Sequence, residues 1–161
     1  SRQQQHSMGF AKLSLKGRAL KLLAQREHSR SELESKLARH VEEGDDLAAI
    51  LDELESKDFI NSERVAASVV HRRASRMGTQ RVVQELRSKG LDDALIKSTA
   101  AELQSTELER ALQVWESRFG HREPATTPQE KAKQMRFLAS RGFDAEAIRR
   151  VVKGPDEDGP N

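Results

Sequence analysis

Apolar positions recur at helical spacing along almost the whole chain. Leu15, Ala19, Leu22, Leu23 and Arg26 share one face of a predicted helix. Leu108, Ala111, Leu112, Trp115 and Phe119 follow the i, i+3, i+4, i+7, i+11 rule of another. No segment alternates with period two over a useful length, so strands are not expected. Pro124, Pro128, Pro155 and Pro160 all fall outside predicted helix interiors. Ser31–Glu34 and Thr127–Glu130 read as capping boxes, the second with Pro128 at the favoured first helical position. Asp45, Asp92 and Asp144 read as N-caps, and Gly44, Gly78, Gly90, Gly120 and Gly142 as stops or loop residues. These signals predict nine helices, at 14–27, 31–43, 46–57, 62–76, 79–89, 93–104, 106–120, 128–141 and 145–153.

The helices repeat in threes. Leu86-Arg-Ser-Lys-Gly90-Leu91-Asp92 matches Leu138-Ala-Ser-Arg-Gly142-Phe143-Asp144, and Ile96 and Ile148 stand at equal distances past their glycines. Leu37 and Ile50 fit the same frame if three residues are inserted around Glu42–Asp46. Gly90 and Gly142 therefore read as structural glycines. The expected fold is all-α, with three tandem three-helix repeats stacked into an elongated, curved array. The boundaries are a disordered leader at 1–13, repeats at 14–58, 59–105 and 106–154, and an acidic disordered tail at 155–161.

Composition supports a divided core. Leu, Ile, Val and Phe together lie only slightly above the ~20% below which a highly charged chain stays disordered. A unit of three short helices buries little by itself, and stacking against neighbours adds the missing burial. The absence of cysteine removes disulfides, thiolate metal sites and cysteine catalysis, and fits a reducing compartment. No apolar run approaches a membrane span.

The net charge of +2 conceals blocks of opposite sign. Lys and Arg dominate residues 1–30 and 64–90, acids dominate 42–63, and 114–154 is again basic. Catalytic patterns are missing: no phosphate-binding glycine loop occurs, and His6, His28, His40, His71 and His121 have no metal-ligand spacing. Neither enzyme activity, cofactor nor metal is expected. His28 and His40 read as residues of helix ends or polar faces. The aromatics Phe59, Trp115, Phe119, Phe137 and Phe143 read as core, which leaves no stacking platform for bases.

The basic residues are the informative ones. Arg72, Arg76, Arg81, Arg87 and Lys89 cluster over one predicted helix–turn–helix. Arg18 and Lys21 form a second exposed patch, and Lys131, Lys133 and Arg136 a third. Arg73 falls inside the apolar arc of its helix. It is expected to be half-buried, its stem packed and its head paired with an acid of the 42–63 block. Contact with DNA through such patches would be backbone-directed, salt-sensitive and weak in sequence preference. A helix-turn-helix reader is the competing idea, with 79–89 as recognition helix and Gln80, Arg81 and Gln84 facing the bases; the repeats on either side argue against it.

Asp58-Phe-Ile-Asn-Ser-Glu-Arg-Val-Ala66, followed by Arg73, Gly78, Arg81-Val-Val-Gln-Glu-Leu86 and Lys89-Gly90-Leu91, resembles the central signature of the RecX family, bacterial regulators of the RecA recombinase. The resemblance runs from Leu15 to Val152 and includes the three-by-three helical plan. It implies a non-enzymatic, cytoplasmic bacterial protein, and the polar composition favours a monomer. Such a protein would bind the RecA–single-stranded DNA filament and inhibit RecA ATPase, strand exchange and co-protease activity in recombination, DNA repair and the SOS response. Two other readings stand beside it: a helical-repeat protein that binds single-stranded or duplex DNA without RecA, and a scaffold that recognises a partner through the acidic 42–63 block.

Overall fold

The computed structural model describes residues 12–121 and 123–153. The leader up to residue 11 and the tail at 155–161 lie outside the described residues. Among those described, nine α-helices and one 3-10 turn occur, with no strand. They are α1 (Leu15–Gln25), α2 (Arg30–Leu37) running into the 3-10 turn Ala38–His40, α3 (Leu47–Ser56), α4 (Ser62–Arg73), α5 (Thr79–Ser88), α6 (Asp93–Gln104), α7 (Glu107–Phe119), α8 (Pro128–Ser140) and α9 (Ala145–Lys153). The chain divides after Val65 into two compact units.

Local chemistry sets the helix starts. Asp92 accepts from the Leu95 N–H at 2.9 Å, Asp144 from Ala147 at 2.8 Å and Thr127 from Glu130 at 3.1 Å. Two starts differ from the sequence reading. The capping box is formed by Ser29 with Glu32, not Ser31 with Glu34: Ser29 Oγ accepts from Glu32 N–H and Glu32 Oε1 accepts from Ser29 N–H. Ser29 is buried, so only this register places the capping hydroxyl inside the helix junction. Asp46 rather than Asp45 caps α3, because Asp45 turns back to accept from the Glu42 N–H. The second capping box is only half present, since Glu130 accepts from Thr126 instead of closing on Thr127.

The first unit has a core of leucines: Leu15 and Ala19 of α1, Leu33 and Leu37 of α2, Leu51 and Leu54 of α3, and Ile60. Arg26 is not on this face. It ends α1 in extended conformation and pairs with Glu32 at 2.8 Å. The loop after the 3-10 turn carries the extra residues of the first repeat, with Gly44 at φ 89°. Asp58 has φ 64°, a left-handed conformation that Asp tolerates better than most residues. Its carboxylate accepts from Asn61 Nδ2 and from Arg64 Nη1, each at 2.9 Å. This turn sends Ile60 into the core and leaves Phe59 about half exposed, against the expectation that it is buried.

His28 is buried too, 1% exposed, rather than lying on a polar face. The Lys36 ammonium can only donate, so His28 Nε2 accepts from it at 3.1 Å and Nδ1–H donates to the Arg26 carbonyl at 3.0 Å. The bond from Lys36 requires the neutral ring, with its proton on Nδ1. Burial first, then Arg26 and Lys36, lower its pKa from the ordinary value.

In the second unit, α9 packs on α7 and α8, α5 on α6, and α7 on α6. Ala111, Val114, Leu138, Phe143, Ala147, Ile148 and Val151 form one core cluster. The buried face of α7 differs from the apolar stripe read in the sequence. Glu107, Arg110, Ala111 and Val114 are inside, whereas Leu112 is 43% exposed. Arg110 explains the rotation. Its guanidinium donates to the carbonyls of Ala74 (3.0 Å) and Met77 past the end of α4, and to the Leu103 carbonyl in the last turn of α6 (2.9 Å). It also donates to Thr79 Oγ1 and Thr106 Oγ1. Carbonyls at helix ends lack intrahelical donors, and Arg110 supplies them in the interior. Burial lowers the Arg110 pKa while Glu107, 3.5 Å away, opposes the shift.

Glu107 supplies a missing cap. Gly78 precedes α5 and has no side chain to bond its first amides; the Thr79 N–H donates instead to Glu107 Oε1 at 3.0 Å. Residue 78 has to be glycine because it lies against the backbone of the α8–α9 turn. Its N–H donates to the Arg141 carbonyl at 2.7 Å, and a Cβ there would stand 2.3 Å from Gly142. Gly142 has φ 90°, and a Cβ on it would meet Arg81 at 2.3 Å. Gly90 ends α5 at φ 72°.

Arg110→Met is expected to cost about 3–5 kcal/mol, because it strands Glu107 and several buried carbonyls. Urea unfolding measures this, and a loss below about 1 kcal/mol would show that the network is dispensable. The His28 contribution has a defined sign. Its folded pKa is depressed, so the stability it contributes is complete above pH 6.5 and is lost as pH falls below that value. His28→Gln keeps one acceptor and one donor without titrating. The melting temperature of the parent should therefore drop more steeply than that of the variant between pH 7.5 and 5.5; parallel curves would show that His28 ionises freely.

Candidate basic surfaces

The charge blocks find much of their balance inside the first unit. Glu53 lies between Lys16 and Lys57, 2.8 Å from each, and their hydrogen bonds hold its carboxyl at about 2. Arg30 pairs with Asp52 at 2.6 Å and with Glu55 at 3.3 Å. Arg64 joins Glu27 and Asp58, and Lys12 joins Glu42. The acidic 42–63 segment is thus largely engaged by cations of its own unit.

The remaining cations of this unit gather at a groove. Arg18 and Lys21 of α1 face Lys36 at the end of α2 and Arg39 in the 3-10 turn, across a concavity of about 680 Å³. Leu13, Leu22 and Leu37 contribute apolar lining, and among the described residues no carboxylate lines the groove. His40 lies at its edge; burial, then Arg18, Arg39 and Lys12, lower its pKa. Lys36 and Arg39 were not singled out from sequence. The available signal was their place in the helix that follows α1, facing back onto it.

In the second unit the basic residues have separate fates. Arg72 and Arg73 both bind Glu85, at 2.7 and 3.0 Å. Burial pushes the Glu85 carboxyl up, but the two guanidiniums outweigh it and hold its pKa below the ordinary value. The acid that meets Arg73 therefore comes from α5, not from the 42–63 block, since Glu85 lies one short helical hairpin away. Arg81 is exposed, yet its Nη1 donates to the Ser140 carbonyl at 3.0 Å. The Gln80 N–H donates to the Gly142 carbonyl at 3.2 Å. The backbone at the start of α5 thus rests against the α8–α9 turn, while Gln80, Arg81 and Gln84 keep exposed side chains.

Arg76, Arg87, Lys133 and Arg136 are exposed, whereas Lys89 and Lys131 are half-buried and engaged within the fold. Arg76 lies beside Arg118 and Arg141, which sequence reasoning passed over. Trp115, Phe119, Phe137 and Phe143 are at least half-buried. Trp115 Nε1–H donates to Gln134 Oε1 at 2.9 Å, so these rings are not free platforms for bases. No helix among the described residues is long and apolar enough to cross a membrane.

Comparison with known proteins agrees with this architecture. Two family models match: "RecX, second three-helix domain" over residues 61–99 and "RecX, third three-helix domain" over 105–152. The regulatory protein RecX of Ralstonia nicotianae is 49% identical over 144 residues, which cover 89% of each chain. That of Leptothrix cholodnii is 48% identical over 146 residues, covering 91% of this chain and 92% of the relative. The crystal structure of RecX from Lactobacillus salivarius superposes with a TM-score of 0.71 at 21% identity, over 86% of this chain and 92% of that one, and so shares the fold. The capped three-helix units, the glycine turns and the similarity along nearly the full length lead to one assignment: this chain belongs to the RecX family of regulatory proteins.

Proposed function

We propose that this protein is a non-enzymatic, monomeric regulator that binds the RecA–single-stranded DNA filament and inhibits its ATPase, strand exchange and co-protease activities. The observation that carries the reading is membership of the RecX family over about nine-tenths of the chain. The surface chemistry supports it. A groove lined by four cations and, among the described residues, no carboxylate, and a second unit with exposed Arg76, Arg87, Lys133 and Arg136, present positive charge to an acidic protein face or a phosphate backbone. Each exposed contact is individually weak, and several acting together gain from effective concentration. Where DNA is touched, the contact follows the backbone and weakens with salt. A partner assembled on chromosomal DNA places the protein in the bacterial cytoplasm.

The test is RecA ATPase activity on single-stranded DNA as the protein is titrated in. Inhibition by the parent is expected. Arg18→Glu combined with Lys21→Glu, with an unchanged melting temperature, should need roughly tenfold more protein for the same effect. Equal inhibition by the folded double variant would remove the groove from the interface. No inhibition of a cognate RecA by the parent would overturn the reading and leave direct DNA binding, measured on bare single strands and duplex, in its place.

A further inference from the structure

Arg76, Arg118 and Arg141 converge on one open concavity of about 340 Å³ in the second unit. They come from three separate places: the segment after α4, the last turn of α7 and the end of α8. Ser75 and Ser117 add hydroxyls to the same lining, and among the described residues no carboxylate contributes to it. In the same unit, the clustered Arg72 and Arg73 meet an acid, Glu85. Among the described residues, none of these three guanidiniums has an ion-pair partner.

Two of the three are held in place. Arg118 and Arg141 stack on the Phe137 ring, at 5.1 and 5.0 Å from its centroid. Arg141 Nη1 also donates to the Arg76 carbonyl at 3.4 Å. Such stacking fixes a guanidinium plane while its N–H edge stays available. The competing explanation is that the arginines merely offset the negative ends of α4, α7 and α8. Each helix end carries about half a negative charge, so three guanidiniums exceed that need by roughly 1.5 positive charges. Among the described residues the excess has no ion-pair counterpart.

We propose that this cradle binds a phosphoryl group, with Arg76, Arg118 and Arg141 donating to its oxygens and Ser75 and Ser117 adding hydroxyl donors. Planar guanidiniums match phosphate oxygens as paired donors, and a tetrahedral anion accepts from several directions at once. The group can come from a free nucleotide or from the backbone of a nucleic-acid strand. The inference goes beyond the filament reading and is tested without RecA, so either can fail alone.

The experiment follows the guanidinium Nε–H NMR signals of the three arginines in the full chain. Pyrophosphate and a short oligothymidine are titrated separately. Saturable shifts with both probes mean that a phosphoryl group alone suffices; shifts with the oligothymidine alone assign the site to a strand backbone. Either result supports the cradle if Arg118→Gln weakens binding about tenfold. Ser117→Glu places a carboxylate among the arginines. It should abolish the shifts while leaving the melting temperature equal or higher, which separates ligand binding from a purely structural role. No saturable shift with either probe, or shifts that both variants leave unchanged, would overturn the proposal.

Discussion

The second unit depends on one buried guanidinium. Arg110 supplies hydrogen bonds to the carbonyls of Ala74, Met77 and Leu103, and so closes the ends of α4 and α6 from the first turns of α7. Burying a cation is costly, and removing one partner of such a network is costlier still. Glu107 makes the arrangement workable: it lies near Arg110 and caps α5 through the Thr79 N–H. That cap is needed because residue 78 must be glycine to lie against Gly142. A backbone-on-backbone contact, a lost side-chain cap and a buried ion pair are therefore links of one chain of causes. Together they fix α7 and the α8–α9 turn against the end of α4, which is where Arg76, Arg118 and Arg141 meet.

The charge distribution separates cations that hold the fold from cations that remain for other uses. Arg30, Arg64, Lys16 and Lys57 are matched by acids of the 42–63 segment and by Glu27. Exposed pairs of this kind add little stability each. The α1–α2 groove, by contrast, has no carboxylate in its lining among the described residues. A chain close to neutral overall can in this way keep local positive surfaces without broad self-repulsion.

Much of the fold was legible because its determinants are local. The 3.6-residue period, the caps at Asp92, Thr127 and Asp144, and the glycines at 90 and 142 lie within a few residues of what they control. The insertion expected around Glu42–Asp46 falls on the loop that follows the 3-10 turn and holds Gly44. The misreadings came from tertiary context. Ser29 and Ser31 are chemically alike, and only burial of the helix junction selects Ser29. Phe59 is exposed because Asp58 takes a left-handed turn normally left to glycine. His28 is buried because Lys36 and the Arg26 carbonyl satisfy both its nitrogens. Arg73 meets an acid as expected, but one in α5 rather than in the 42–63 block. Arg110 was hardest to see, since a charged residue on a buried face reads as a solvated one until its acceptors, distant in sequence, come together. A faint signal existed: Gly78 left a helix uncapped, and an opposite-charge pair followed the Ser105–Thr106 turn.

Cooperativity of the second unit is the most direct measure of this account. Native-state hydrogen exchange in increasing urea reports the opening free energy of individual amides. The amides of Val82 and Leu86 in α5 and of Val114 and Leu138 in α7 and α8 should merge onto one common isotherm. They should also weaken together when Arg110 is replaced by Met. Two separate isotherms in the parent, with α5–α6 opening independently of α7–α9, would contradict the claim that the Arg110–Glu107 network binds these helices into one body.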